Sequence, residues 1–552
     1  MPLLQSSYTP YAHGEALVAI PEAPEPEETR NGASISGLPL HVLSNVLTYL
    51  VDFSLGGNLS QPAYELLSAS HVNSQFREAC LSHPALWNKV LSLNGIGSRL
   101  FEAIVERSGT LSLWLSLRED ETLSTKPEVW KILMNNLFRL QFLYVEVNEA
   151  HEGIKTTFLL TLLTVDAPAL EECVIDFHGR RNVPLNCFVV HCRTPRLRRL
   201  RLINCFIPLD RCRFPRLSSI VMHSTDGEPV LSSPYDRLRF HVQFRFLRRL
   251  VLWDAVQSIT NPILGPPPIE LPILETFILL GNGAVCKQLA EVLRIPSGCN
   301  RSVTIHFPRD RECVSGDAVV AARAASLFIP NDVEYTACVL EASSTVQTLK
   351  LSALSRKPTI KINFLVNNSL RFRASGPIAF LIRAFAGIPP ISWLPGFSLT
   401  ARDEFSFTLW QFLASVCNHT FSSVSLLTLF FDDSSPAPHF FVPLFESMLN
   451  VEMAAATAPQ VYLNPSFINI VGRQELFPKL TSLGVPLIGN VVDLAYLPQL
   501  LWHRRGINHV IFYISPVWSA EMGHDDSDTI RAAGGNLVKE FPEGVEIEWL
   551  RN

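Results

Sequence analysis

One pattern returns along most of this chain. A proline or aromatic residue is followed by a leucine, two variable residues, an apolar residue, one variable residue and another apolar residue. It reads Pro168-Ala-Leu-Glu-Glu-Cys-Val-Ile175, Pro195-Arg-Leu-Arg-Arg-Leu-Arg-Leu202 and Pro215-Arg-Leu-Ser-Ser-Ile-Val-Met222. It recurs as Phe246-Leu-Arg-Arg-Leu-Val-Leu252, Pro272-Ile-Leu-Glu-Thr-Phe-Ile-Leu279 and, much later, Pro478-Lys-Leu-Thr-Ser-Leu-Gly-Val485. The anchors Leu170, Leu197, Leu217, Leu247 and Leu274 lie 27, 20, 30 and 27 residues apart. Alternation at period two makes each copy a short strand, with its leucines on one face. A single such unit cannot bury its apolar side, so the copies must stack and share one core. Thirty-nine prolines against six methionines agree with many short elements separated by stiff breaks.

A repeat of about 20–29 residues carrying L-x-x-L-x-L on a short strand is the signature of leucine-rich repeats. The expected fold class is therefore α/β, a solenoid of degenerate leucine-rich repeats over residues 126–552. Fainter copies are Leu140-Gln-Phe-Leu-Tyr-Val145, Val346-Gln-Thr-Leu-Lys-Leu351, Val424-Ser-Leu-Leu-Thr-Leu429 and Ile507-Asn-His-Val-Ile-Phe512. Spacing between residues 281 and 470 is irregular, and insertions are expected there.

The amino-terminal part is different. Residues 1–34, with the acidic, proline-rich stretch Pro21-Glu-Ala-Pro-Glu-Pro-Glu-Glu28, read as a solvated, disordered tail and not as a signal peptide. Over 35–90 the spacing predicts helices. Leu43, Val46, Leu47 and Leu50 recur at i, i+3, i+4 and i+7, and a second stretch from Gln61 to Leu81 carries Leu66, Leu67, Phe76 and Cys80. Residues 91–125 read as a connecting segment that includes the alternating Leu111-Ser-Leu-Trp-Leu-Ser-Leu117. Eleven cysteines without a C-x-x-C pair indicate free thiols in a reducing compartment. No continuous apolar window reaches bilayer length, so no membrane association is expected and the location is cytoplasmic or nuclear.

The segment Leu38–Val90 resembles the F-box, in the divergent version common ahead of leucine-rich-repeat-like regions in mushroom-forming fungi. The residues carrying the resemblance are Leu38-Pro39, the spaced Leu43, Val46, Leu47 and Leu50, then Leu66-Leu67, Val72, Phe76-Arg77 and Pro84-Ala-Leu-Trp87. Glu106-Arg-Ser-Gly109 is also similar to the segment that succeeds the F-box in those proteins. Phe76 stands where that family usually shows tryptophan. The resemblance implies a small all-helical module whose apolar face docks on the Skp-type adaptor of a cullin–RING ubiquitin ligase, while the downstream repeats hold the protein to be modified. Leu38, Pro39, Val46 and Leu47 are the expected adaptor contacts. The same residues would equally serve as a helical cap on the first repeats.

A search for catalytic motifs finds none, so no enzyme, cofactor or metal is expected. Gly281-Asn-Gly283 begins like a dinucleotide loop, but Cys286 holds the third glycine position. His503 and His509 are six residues apart and lack cysteine neighbours, and Asp432-Asp433 and His524-Asp525-Asp526 read as solvated turns. One charge feature stands out. Between Gly179 and Arg249 lie fifteen arginines, no lysine and four acidic residues, within a chain of net charge −5. Arginine without lysine suits two-pronged recognition of carboxylate or phosphate. Alternation places Arg199, Arg201 and Arg249 outward with His223 and Trp253 beside them. These five are the expected contacts for a protein substrate that is acidic or phosphorylated, unless the arginines only keep the array soluble. Aromatic residues do not interleave with the basic strands as single-stranded nucleic acid requires, so no nucleic acid partner is expected.

Val174, Val221, Val251 and Ile278 fall on the same outward face, which predicts either a covering segment or a partner. The reading as a whole is a substrate-recruiting subunit of a Skp–cullin–F-box-type ubiquitin ligase. The alternative is a leucine-rich-repeat scaffold for protein interactions with no link to ubiquitin.

Overall fold

A computed structural model of the chain describes residues 38–54, 61–92, 96–118, 127–148, 166–178, 183–184, 194–206, 214–225, 244–256, 268–307, 315–342, 346–353, 359–365, 401–431, 441–456, 471–487, 497–514, 539 and 541–550. The tail expected over 1–34 and the acidic spots at 432–433 and 524–526 lie outside them.

The described part begins with helices. α1 (Leu40–Ser54), α2 (Gln61–Ser70), α3 (Ser74–Ser82) and the single turn α4 (Pro84–Trp87) form a small module. The helical stretch expected from Gln61 to Leu81 is two helices, because Asn73 intervenes in extended conformation and its side chain accepts from the Phe76 N–H at 2.8 Å. That bond satisfies one of the donors a helix start leaves open. Leu43, Leu47, Leu66, Cys80 and Trp87 are buried together, and the Trp87 indole donates to the Cys80 carbonyl at 2.7 Å.

Next come the strands: β1 (Leu91–Ser92), β2 (Leu113–Arg118), β3 (Leu140–Asn148), β4 (Glu172–His178), β5 (Arg199–Ile203), β6 (Ser219–His223), β7 (Arg249–Trp253), β8 (Thr276–Asn282) and β9 (Asn300–His306). They pair in this order, all parallel. α5 (Ser98–Arg107) and α6 (Pro127–Asn136) link the first three, and α7 (Gly283–Val292) follows β8. The segment 91–125, expected to be a connector, thus supplies the first two strands of the sheet and the helix between them.

Beyond β9 the order changes. α8 (Ser315–Phe328) leads to β10 (Tyr335–Ala342), which returns through β11 (Val346–Ala353) and β12 (Thr359–Leu365). β12 runs parallel to β9, β11 is antiparallel to both neighbours, and β10 sits two positions further out. The chain overshoots two strand positions and then fills them backwards. The fainter repeat copy at Val346 is therefore a reversed strand and not a repeat. α9 (Ala401–Val416) and α10 (Asn418–Ser422) precede β13 (Leu426–Phe431), which pairs parallel with β10. From there β14 (Met453–Ala456), β15 (Ser482–Leu487), β16 (His509–Ile514) and β17 (Glu546–Leu550) continue in parallel, with α11 (Val442–Phe445) and α12 (Leu497–His503) between them.

The result is mixed α/β: a 17-stranded, parallel-dominated open sheet, compatible with a solenoid, with twelve α-helices among the described residues. Its regularity rests on one turn. At Leu170, Leu197, Leu217, Leu274 and Cys299 the anchor N–H donates to the carbonyl three residues back, at 3.0–3.2 Å. The same bond recurs at Val424, Val451, Leu480 and Ile507, which are 27, 29 and 27 residues apart. Each anchor is buried, as are the two inward apolar residues that follow Leu170, Leu197, Leu217, Leu274, Val424, Leu480 and Ile507, and one continuous core runs from Leu43 to Phe512. Burying one such side chain contributes about 1.5–3 kcal/mol, so the stacked anchors dominate the stabilisation of the array.

Three buried arginines tie neighbouring units together. Arg139 donates to the carbonyls of Val105 (3.0 Å), Leu111 (3.2 Å) and Gly109. Arg301 donates to those of Phe328 (2.5 Å), Pro296 (2.9 Å) and Ile295 (3.1 Å). Arg504 reaches the carbonyls of Arg473 (2.9 Å), Val471 and Phe477. Burial pulls all three guanidinium pKa values below the ordinary arginine value. The carbonyls are the open acceptors of helix and turn ends, so hydrogen bonds meet the terminal nitrogens of each buried cation, while the Arg301 Nε is left unmatched among the described residues.

Candidate functional site

The first candidate surface is on α1. Leu38 is half-buried, and its carbonyl accepts from the Gln75 side chain at 2.8 Å. Pro39 is exposed and Val46 is 53% exposed, but Leu47 is only 3% exposed. Leu47 packs inside the module, which corrects its assignment as an adaptor contact: the helix turns it towards the core shared with Leu66 and Trp87. Sequence reading missed Tyr49, which is 78% exposed and stands three residues after Val46 on the same helix face. Helical periodicity groups it with Val46, and the packing of Leu47 inside the module turns the pair outward. Pro39, Val46 and Tyr49 thus form an outward apolar stripe.

The second surface is the sheet face opposite the buried leucines, over β5, β6 and β7. In β5 the burial pattern leaves Arg199 and Arg201 exposed while Leu200 and Leu202 are buried. The register brings the five expected residues onto three adjacent strands. Arg199, Ser219 and Arg249 form one cross-strand row, Arg201, Val221 and Val251 the next, and Ile203, His223 and Trp253 the third. Arg199 reaches Glu172 on β4 at 2.6 Å, both groups remaining partly solvated. An exposed pair of this kind is worth about 0–1 kcal/mol, so it does not lock the guanidinium in place.

His223 and Trp253 meet edge to face, with ring centroids 5.0 Å apart. Burial, and secondarily the charge of Arg201, hold the His223 pKa below the ordinary histidine value. The outward valines are less accessible than their face suggests. Val251 is 1% exposed and Val174 8%, whereas Val221 and Ile278 are half-buried. Val251 lies between the long side chains of Arg249 and Trp253 on its own strand, so no water-facing apolar seam runs through it.

At the far end of these strands the backbone is unusual. Asn204 and Asp254, one residue beyond β5 and β7, have φ of +53° and +50°. Asn204 is held there by its own side chain. The amide donates to the Phe177 carbonyl at 2.7 Å and accepts from the Thr225 N–H at 2.7 Å, which joins three consecutive units. Asp254 contacts the His306 imidazole across β8.

The remaining sequence candidates fall elsewhere. Asn282 of the Gly281-Asn-Gly283 run caps α7, accepting from the Val285 N–H at 3.0 Å. The Cys286 thiol beside it is buried and its pKa pushed up by desolvation. His503 is exposed and bonded to the Gln499 carbonyl at 2.7 Å, while His509 faces Glu548 at 3.4 Å. Among the described residues no cluster of three metal-ligating side chains occurs, and no helix is long and apolar enough to cross a membrane.

The chain matches no protein-family model and no curated protein sequence. The geometry on these two surfaces therefore carries the functional argument.

Proposed function

We propose that this chain is a substrate-recruiting subunit of a Skp–cullin–F-box-type ubiquitin ligase, built from an F-box-like helical module and a degenerate leucine-rich-repeat array. The module docks the Skp-type adaptor through Pro39, Val46 and Tyr49, with Leu38 supporting the start of α1. The sheet face over β5–β7 holds a protein substrate. What supports this reading is the pairing of two features in one continuous core: a small helical unit that leaves an apolar helix stripe uncovered, and an open sheet whose outward face over β5–β7 carries the exposed Arg199, Arg201 and Arg249. An exposed i, i+3 apolar pair on an otherwise packed helix suits burial against a partner helix.

The test is capture of a purified Skp-type adaptor by the full-length chain. Val46→Asp combined with Tyr49→Asp is expected to weaken capture at least tenfold without lowering the thermal midpoint, since both side chains are solvated. Equal capture by the variant would exclude α1 as the docking element. A second reading is favoured by the burial of Leu47, which leaves α1 with a narrow stripe. On that reading the module only caps the sheet and the chain is an interaction scaffold unconnected to ubiquitin. Failure of the unaltered chain to bind any Skp-type adaptor would decide for it.

A further inference from the structure

We propose that the partner of the β5–β7 surface is an extended, carboxylate-rich protein segment that lies across these strands at their starting edge. The inference rests on the reading that this face holds a protein, and it names the chemistry of that protein.

Arg196, Arg198, Arg201, Arg216, Arg245 and Arg249 are all exposed. None of the six has a carboxylate within ion-pair distance among the described residues, whereas Arg199 and Arg248 are held by Glu172 (2.6 Å) and Glu275 (3.0 Å). Arg196 and Arg216 stand in the turns that open β5 and β6. Arg198 and Arg248 occupy equivalent positions just ahead of their strands, where a backbone ladder fixes them. The Ser218 N–H donates to the Arg198 carbonyl at 2.9 Å, and the Arg248 N–H donates to the Ser218 carbonyl at 2.8 Å. The backbone at Arg198 and Arg248 is thus held by the ladder, and Arg201 and Arg249 lie within strands.

Their spread decides the ligand. Strands are about 4.8 Å apart, so β5 to β7 covers about 10 Å, and Arg198 to Arg201 covers about 10 Å more along the strand. A single phosphoryl group would meet two or three of these guanidiniums and leave the others unmatched. An extended segment rising about 3.3 Å per residue crosses the patch with four to six residues. Carboxylates on such a segment can meet the guanidiniums in two-pronged pairs. Arg245 stacks 4.8 Å over the ring of Phe246, which gives the edge one apolar contact as well.

The experiment uses the full-length chain and a labelled hexaglutamate peptide followed by fluorescence anisotropy. The peptide is expected to bind, hexaglutamine to fail, and affinity to fall steeply with added salt. The triple variant Arg201→Gln, Arg216→Gln, Arg249→Gln is expected to bind at least tenfold more weakly. Ser219→Glu, which sets a carboxylate between Arg199 and Arg249 in the cross-strand row, is expected to weaken binding as an independent check. Unchanged binding by both variants would overturn the assignment. So would equal or tighter binding of a single phosphoserine in a glutamine background, or of oligothymidylate. Tighter peptide binding after Glu22, Glu25, Glu27 and Glu28 are changed to Gln would make the chain's own leader the occupant and overturn the partner assignment. Val46→Asp with Tyr49→Asp leaves hexaglutamate binding unchanged, so loss of adaptor docking and loss of this surface are read separately.

Discussion

Strands β4–β9 and strands β10–β12 lie side by side in one sheet, yet they are specified in different ways. In β4–β9 each strand is delivered by a local turn, and its neighbour is the strand that precedes it in sequence. In β10–β12 the neighbours are set by distant residues. Gln347 at the start of β11 is fully buried; its amide donates to the Ser406 hydroxyl at 2.7 Å and its carbonyl accepts from the Trp410 indole at 2.9 Å. On the other face Thr348 donates to Asn363 at 2.9 Å, and Asn363 donates to Thr304 at 2.9 Å, which stitches β11, β12 and β9 together. A parallel array needs only stacking. A reversed strand within it needs polar side chains that fit one arrangement and penalise slippage.

The largest expected effect breaks the second kind of region alone. Trp410→Ala removes a fully buried ring and leaves the Gln347 carbonyl without its donor, at a cost of about 3–5 kcal/mol. Hydrogen exchange should show protection lost over β10–β12 and α9 but retained over β4–β9. Uniform loss across the sheet would show that the two regions are not distinct. A smaller effect belongs to the regular region. Asn204→Ala removes all three side-chain bonds and leaves a β-carbon at φ +53° without the local hydrogen bonding that supports it, at a cost of about 1–3 kcal/mol in denaturant unfolding. Asn204→Gly relieves the backbone and not the bonds, so the difference between the two variants separates the contributions.

The smallest effect is a pH slope. The His223 pKa is lowered in the folded chain by burial and by Arg201, so the unfolded chain binds the proton first. Stability therefore falls as pH drops below the ordinary value of 6.5, down to the lowered folded value. His223→Gln should flatten urea midpoints over that window, and an unchanged slope would place the titrating group elsewhere.

The same contrast explains how much of the fold is legible in the sequence. Leu197, Leu200 and Leu202 announce a strand, its buried face and the outward position of Arg199 and Arg201, because local spacing settles all three. Val346-Gln-Thr-Leu-Lys-Leu351 alternates just as well, but period two is identical in either direction, so the reversal of β11 carries no signal. Leu47 shows the matching limit in helices. Periodicity groups it with Val46, but only the presence of Trp87 and Leu66 on one side decides that Leu47 faces inward and Tyr49 outward. Asn204 does have a visible signal, standing two residues after the last leucine of its copy, where a side chain that bonds its own backbone surroundings tolerates the left-handed region.

Arrays of stacked units tend to fray one unit at a time, since each touches only its neighbours. Arg139, Arg301 and Arg504 work against that. Each reaches from its own unit into the carbonyls of the preceding or following turn, and a permanently charged group cannot be stranded there when one side lets go. Units joined in this way must open together, so the molecule is divided into cooperative blocks whose seams are set by three side chains and not by the repeat length.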